Sequence, residues 1–325
     1  MKKIAVVTGG NSKEKDIALK SGQVVFNNID RKLFEPYLVI IDGNDWYLKE
    51  DNTAIDKNDF SFTKKEKVTF DAVFNIIHGP PGEDGQLQAY WDMIGLPYTG
   101  SGVLAAALTF DKHRTKVFLH DVEGLHFAKS IFINCDNKDE IDAKYIADQL
   151  GLPLFIKPNR AGSSYGISKA KTVEEITKGI EEAFEHDDEV LVEEMITGTE
   201  ITCGVLRSDC NYIAFPVTEI VTNNDFFDYE AKYTVGKAEE ITPARIDKTM
   251  SLQCQKVSVS ICEKLHTKGI VRADYIMQDE DLYLIEVNTV PGMSKESIIP
   301  KQASVLGMSL TDLFTQMLQE ALVEN

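Results

Sequence analysis

The chain has 325 residues, 43% of them hydrophobic and 26% charged, an ordinary composition for a soluble globular protein of two or three domains. A net charge of −18 weighs against nonspecific nucleic-acid binding, and no apolar run approaches the length that spans a bilayer, so neither a nucleic acid nor a membrane is an expected partner. The five cysteines (Cys135, Cys203, Cys210, Cys254, Cys262) are odd in number and form no CxxC pair, which points to reduced thiols in a cytoplasm and away from a disulfide scaffold or zinc site.

The opening MKKIAVVTGG reads as a strand over residues 3–7, not as a signal peptide. A helix from about Glu14 to Asn28, a strand over Tyr37–Ile41, a polar stretch over 42–68 and a buried strand over Ala72–Ile77 follow. This alternation predicts an α/β layer with parallel strands. At the carboxyl end of the third strand, where open α/β sheets bind ligands, lies HGPPGEDG (78–85). Gly85–Ile94 reads as a helix with Leu87, Tyr90, Trp91 and Ile94 as its core stripe. GSGVLA (100–105) matches GxGxxA at a helix start. It does not stand in the first β-α turn, and no acidic strand end fits about 20 residues on, so it is a poor dinucleotide fingerprint. That helix is expected to run through Asp111, Lys112 and Arg114 to about His120.

From 126 to 195 the pattern becomes a compact α+β unit: strand 126–133, helix 138–150, strand 152–158, a loop and short strand, helix 172–186 and strand 189–195. Lys157 ends a strand, and KPNRAGSSYG (157–166) turns back through small residues. Such a loop can bring backbone N–H groups and a lysine against phosphate, although an ordinary hairpin loop accounts for the same composition. Strands over 199–207 and 211–220 precede a long aromatic and polar stretch, 222–244, whose length without a period marks it as functional or mobile. A helix over 245–267, a hairpin, and a terminal helix from about Ser309 complete the chain.

The hairpin has two apolar strands, Ile270–Met277 and Leu282–Val287, around an acidic turn. Alternation puts Arg272 and Asp274 on one face of the first strand and Glu286 and Asn288 on one face of the second. With an odd number of residues in the loop, Asp274 falls opposite Glu286 and Arg272 near Asn288. Two carboxylates and an amide oxygen beside a guanidinium suit a hard divalent cation, while a solvated polar face on an edge hairpin would look the same. The apolar flanks argue for burial, and buried carboxylates need partners.

HGPPGEDG, GLPYTGSG, DKHRTK, IKPNRAGSSYG, DYEAKY, RADYIM and EVNTVPGM occur in an order and spacing that resemble the D-alanine–D-alanine ligases of the ATP-grasp superfamily over nearly the whole chain. The resemblance implies an α/β, multidomain ATP-grasp fold preceded by an N-terminal Rossmann-like domain. It sets domains at 1–101, 102–193 and 194–325. ATP would lie between the last two, and two molecules of D-alanine would be joined through a D-alanyl phosphate. It assigns Lys112 and Lys157 to the ATP phosphates, Ser164 to ATP, Glu193, Glu194 and Ile196 to the adenine, Glu200 to the ribose, and Lys232 to the γ-phosphate. Asp274, Glu286 and Asn288 would hold two Mg2+ (or Mn2+) ions. Arg272 and the Gly292 backbone would form the oxyanion site. Glu14, His78, Ser163, Tyr233, Ser297 and Ile298 would handle the two D-alanines and close the site, with 222–244 as a lid. A homodimer in the cytoplasm is implied as well.

Ala18, Phe227 and Glu296 depart from residues common in the family, which touches details of substrate contact and not the reaction class. A ligase that takes D-lactate or D-serine second is the alternative within the family, although Tyr233 in EAKY favours the dipeptide. A nicotinamide oxidoreductase reading GSGVLA would show no metal requirement, and a silent ATP-binding module would not need Arg272, Asp274, Glu286 and Asn288 together. Asp274→Ala or Glu286→Ala should abolish ADP release under turnover conditions; retained turnover would refute the metal reading.

Overall fold

The computed structural model describes residues 1–162, 165–222 and 238–323. The first unit contains β1 (Lys2–Gly9), α1 (Lys15–Asn28), β2 (Phe34–Asp42) and β3 (Asp45–Leu48). The weakly patterned stretch after β3 forms a small sheet of β4 (Ile55–Asp56), β5 (Ser61–Thr63) and β6 (Lys67–Val68), followed by β7 (Ala72–Asn75) and α2 (Gln86–Met93). The main sheet has the order β3-β2-β1-β7, and β1 pairs in parallel with both β2 and β7. Parallel strands are covered on both faces, which is why Ile4 to Val7 are all fully buried.

The single helix expected from Val103 to His120 is two, α3 (Val103–Phe110) and α4 (Lys112–Leu119). Asp111 is extended between them (φ −94°, ψ 101°), and its carboxylate accepts from the Arg114 backbone N–H at 2.8 Å. Aspartate is a strong N-cap residue, so the run of good helix formers restarts here with Lys112 as its first residue.

The strand expected over 126–133 also splits. β8 (Leu125–His126) joins the last sheet beside Leu282 and Tyr283, whereas β9 (Ser130–Asn134) joins the central one. The central unit continues with a 3-10 turn (Cys135–Glu140), α5 (Ala143–Leu150), β10 (Leu154–Pro158), β11 (Ser168–Ala170), α6 (Val173–Phe184) and β12 (Glu189–Glu194). Its antiparallel sheet has the order β11-β10-β12-β9, and α5 and α6 supply Ile146, Ile176 and Ile180 to a separate core. α5 starts later than expected because Asp142 caps it, accepting from the N–H groups of Lys144 and Tyr145.

The last unit has β13 (Thr199–Ser208), β14 (Asn211–Ala214), β15 (Thr218–Thr222), β16 (Ala238–Ile241), α7 (Lys248–Leu265), β17 (Ile270–Gln278), β18 (Asp281–Asn288), α8 (Ile298–Val305) and α9 (Leu310–Val323). The sheet order is β16-β15-β13-β17-β18-β8, with β14 on the side of β13. The first and last units share one core, where Ile4, Val6 and Phe74 pack with Val290, Met293, Ile299 and Phe314.

The hairpin turn holds two residues, Asp279 and Glu280, since Gln278 pairs with Asp281; Asp279 adopts a left-handed φ of 54°. An even loop would put Asp274 opposite Ile285. A β-bulge between Asp274 and Tyr275 supplies the missing residue: Tyr275 faces Leu284, but Asp274 faces Glu286 and Arg272 faces Asn288. The expected pairing is therefore present, by a different route.

α8, which sequence patterning did not signal, is tied to the sheet by Gln302. Its amide nitrogen donates to Thr202 O (3.1 Å) and Thr218 Oγ1 (3.0 Å), and its oxygen accepts from Gly204 N–H (3.1 Å). Gln302 is fully buried. Gln302→Leu leaves buried backbone groups unsatisfied and should cost about 2–4 kcal/mol of unfolding free energy in chemical denaturation.

Candidate active site

The acidic face of the β17–β18 hairpin is organised around Asp274. Arg272 Nε donates to Asp274 Oδ1 at 2.8 Å and Nη2 to Oδ2 at 2.7 Å, and Thr202 Oγ1 on β13 donates to Oδ1 at 2.5 Å. The bidentate pair fixes the plane of the guanidinium. An ionised carboxylate has about four acceptor positions, so three bonds leave Asp274 room for a cation on Oδ2. Glu286 lies across the ladder with Lys112 Nζ 3.8 Å from its Oε2, and Lys112 also donates to Ala161 O at 2.7 Å. Asn288 Oδ1 accepts from Val290 N–H at 3.0 Å. Among the described residues no three His, Cys, Asp or Glu side chains gather as a metal cluster. A divalent ion here would use Asp274, Glu286, the Asn288 amide oxygen and substrate or water oxygens, a donor set that fits Mg2+.

A second charged group lies in the central sheet. Lys157, at the end of β10, meets Glu193 Oε2 at 2.5 Å, and Lys116 meets Glu193 Oε1 at 2.6 Å. Burial pushes the Glu193 carboxyl up, but the two lysine charges outweigh it and hold it below the usual carboxylate range. Burial likewise draws the Lys116 ammonium down against the pull of Glu193. The chain beyond Glu193 runs through Glu194, which accepts from Lys129 N–H at 2.8 Å, to half-buried Ile196. Glu200 shares a strand face with Thr202, two residues on.

Asn159 brings Lys112 to this group. Its backbone carbonyl accepts from Lys112 N–H (3.3 Å), its side-chain oxygen from His113 N–H (2.8 Å), and its amide nitrogen donates to Glu189 Oε2 (2.8 Å). The break at Asp111 makes this possible, because a new helix N-terminus presents free N–H groups.

The first unit contributes Glu14, just before α1. A Cβ on Gly162 would stand 2.3 Å from Glu14 Oε2, so a side chain at position 162 would displace the Glu14 carboxylate. His78 donates from Nδ1 to Val290 O at 2.7 Å and accepts at Nε2 from Ser21 Oγ at 3.2 Å; the carbonyl partner sets the tautomer. Burial holds its imidazole below the usual range, and the Arg272 charge adds to this against the pull of Glu14. His78 thus ties the end of the first sheet to the 289–293 loop. Ser297 Oγ pairs with Ser294 Oγ at 2.8 Å, and a Cβ on Gly292 would stand 2.9 Å from Ser297 Oγ. Ile298 is buried at the start of α8. Ser163, Ser164, Lys232 and Tyr233, with most of the 222–244 stretch, lie outside the described residues.

Four site-forming residues escaped sequence reasoning. Lys116 is one helical turn past Lys112, and Thr202 is two residues past Glu200, so both had a spacing signal. Asn159 and Ser21 had none, since their partners are remote in sequence.

The chain matches the family described as D-ala D-ala ligase N-terminus over residues 3–101 and the family described as D-ala D-ala ligase C-terminus over residues 119–319. It is 44% identical to a D-alanine--D-alanine ligase of Flavobacterium johnsoniae, covering 99% of this chain and 100% of that protein, and 43% identical to one of Azobacteroides pseudotrichonymphae, covering 98% and 99%. The VanG D-Ala:D-Ser ligase structure from Enterococcus faecalis is 34% identical, with a TM-score of 0.88 over 98% of this chain and 99% of that one.

Glu83, in HGPPGEDG, accepts from Gly79 N–H at 2.9 Å and is buried, and burial, with the repulsion of Glu14 second, pushes its carboxyl up to about 8. The folded state therefore holds this proton more tightly than the unfolded chain. The stability gained is complete below the ordinary glutamate range and is lost as pH rises through about 8. Glu83→Gln should gain stability relative to the parent between about pH 5 and about pH 9, read as the difference in Tm. A pH-independent difference would show that Glu83 is ionised throughout.

Proposed function

The chain belongs to the D-alanine–D-alanine ligase family, and from that premise we propose how its residues divide the work of the reaction. The protein is an ATP-dependent, ADP-forming ligase that joins two D-alanines for peptidoglycan precursor synthesis, on an ATP-grasp fold with an additional N-terminal domain. A carboxylate is a poor electrophile. Transfer of the γ-phosphoryl group to the first D-alanine breaks its bond to ADP and yields an acyl phosphate. The amine of the second D-alanine attacks that carbonyl carbon, a tetrahedral oxyanion forms, and phosphate leaves.

The observation that carries the division of roles is the bidentate Arg272–Asp274 pair, held by Thr202 beside Glu286 and Asn288. Arg272 is oriented before substrate arrives, so with the Gly292 backbone it can stabilise the developing oxyanion without reorganising. Asp274, Glu286 and Asn288 would hold the two divalent ions, whose charge when bound would offset that on the transferring phosphoryl group. Lys112, Lys157 and Lys232 hold the phosphates, Ser164 binds ATP, Glu193 to Ile196 border the adenine, and Glu200 takes the ribose. Glu14 faces the ammonium of the first D-alanine, and Ser163, Tyr233, Ser297 and Ile298 complete the substrate pockets. His78 supports them through the Val290 carbonyl, since both its ring nitrogens bond within the protein.

We read the domains as 1–101, 102–193 and 194–325, with Leu119 and Leu125 of the middle segment packing into the core of the last sheet. The enzyme acts in the cytoplasm as a homodimer on this reading. The cysteines, all free in the structure, support a reducing compartment, and no described helix is long and apolar enough to cross a membrane.

ADP release should require D-alanine, ATP and Mg2+, with D-alanyl-D-alanine as the product by mass. Release with D-serine or D-lactate as second substrate at comparable efficiency would overturn the assignment of D-alanine as the second substrate.

A further inference from the structure

Lys116 has no role in the scheme above, yet it is built into one of its charged groups. Its side chain is 14% exposed. An ammonium has three N–H bonds, and three protein acceptors are in reach: Glu193 Oε1 at 2.6 Å, Ala128 O at 2.8 Å and Ser130 Oγ at 3.0 Å. Its donors are thus saturated by the protein, and Lys116 has none left for a ligand. Lys157 differs. Its ammonium meets Glu193 Oε2 at 2.5 Å, leaving donors to direct elsewhere. The side chains of Glu193 and Lys157 are 13% and 8% exposed.

We infer that Lys116 is a positioning residue for the nucleotide, which occupies one oxygen of Glu193 and leaves the Lys116–Glu193–Lys157 group with one net positive charge for Lys157 to present to the ATP phosphates. With a single lysine, Glu193 and Lys157 would form a neutral pair, whose field at a neighbouring phosphate is far weaker than that of an uncompensated charge in a low-dielectric site. Both oxygens of Glu193 would also compete for the donors of Lys157. Lys116 prevents this by holding Oε1 from the far side, from a helix whose first residue, Lys112, bonds Ala161 O in the adjoining loop. The inference rests on the reading of Lys157 and Glu193 as nucleotide-binding residues.

The test compares steady-state kinetics of Lys116→Met, Lys157→Met and Glu193→Gln, with Tm recorded for each. Lys116→Met should raise the KM for ATP by about tenfold or more and leave the KM values for D-alanine within about twofold of the parent. Since Lys116 acts only through Glu193, its effect should not add to that of Glu193→Gln in the double variant. An unchanged KM for ATP in Lys116→Met, with a raised one in Lys157→Met, would overturn the inference while leaving the nucleotide site intact. Unchanged values in both Lys157→Met and Glu193→Gln would instead remove the underlying site reading, and the inference with it. If Lys116→Met does not fold, Lys116→Gln keeps a donor without the charge. It should weaken direct ATP binding in calorimetry in the same direction, and parental affinity there would overturn the inference.

Discussion

The one-residue bulge between Asp274 and Tyr275 reconciles two demands on the same hairpin. A two-residue turn makes a tight connection between β17 and β18, but its even count would turn Glu286 and Asn288 away from Asp274 and Arg272. Slipping one strand by one residue moves every side chain to the opposite face. The bulge places that slip in the middle of the ladder. Tyr275, Leu282 and Leu284 can thus face the core while the four polar residues beyond it face together. The Arg272–Asp274 pair, the contact with Thr202 and the approach of Lys112 to Glu286 all depend on this offset.

The charged groups reach the site from separate units, and each is delivered by a local interruption. Asp111 stops one helix and starts another, which sets Lys112 at a helix N-terminus. Asn159 then joins that terminus to the loop after Lys157. β8 and β9 split what would have been one strand, so the chain crosses from the last sheet to the central one next to Ser130, a partner of Lys116. Buried charges are costly unless paired and hydrogen-bonded, and the two charged clusters meet that requirement in different ways. Asp274 is satisfied by one guanidinium and one hydroxyl. Glu193 is satisfied by two ammonium groups, which keep it ionised despite burial.

The shared core of the first and last units explains why His78 is placed as it is. β1 and β7 pack on the loop and helices that follow β18, so the end of the first sheet lies against residues 289–293. His78 bridges that seam with both ring nitrogens, and Ser21 also accepts weakly from Met293 N–H, at 3.4 Å. By its position alone His78 reads as a satisfied structural residue, and only the family resemblance assigns it to D-alanine; in the structure both ring nitrogens meet protein partners.

Much of this was legible in the chain. Parallel strands over 3–77, a compact α+β unit around Lys157, and the shared faces of Arg272 with Asp274 and of Glu286 with Asn288 follow from periodicity, which is local. The bulge was not legible there, because residues 282–285 are all apolar or aromatic; only in the structure do the buried residues of β18 step by two from Leu282 to Leu284 and then by three to Val287. The ordered motifs carried the reaction class, because each holds chemistry within a few residues. What the tertiary structure alone decided was pairing over long separations: Lys116 with Glu193, Thr202 with Asp274, Asn159 with His113 and Glu189, His78 with Val290. No pattern along one strand or helix encodes which remote group will satisfy a buried donor or charge. That choice is made when the sheets pack and desolvation leaves each polar atom only the partners within reach.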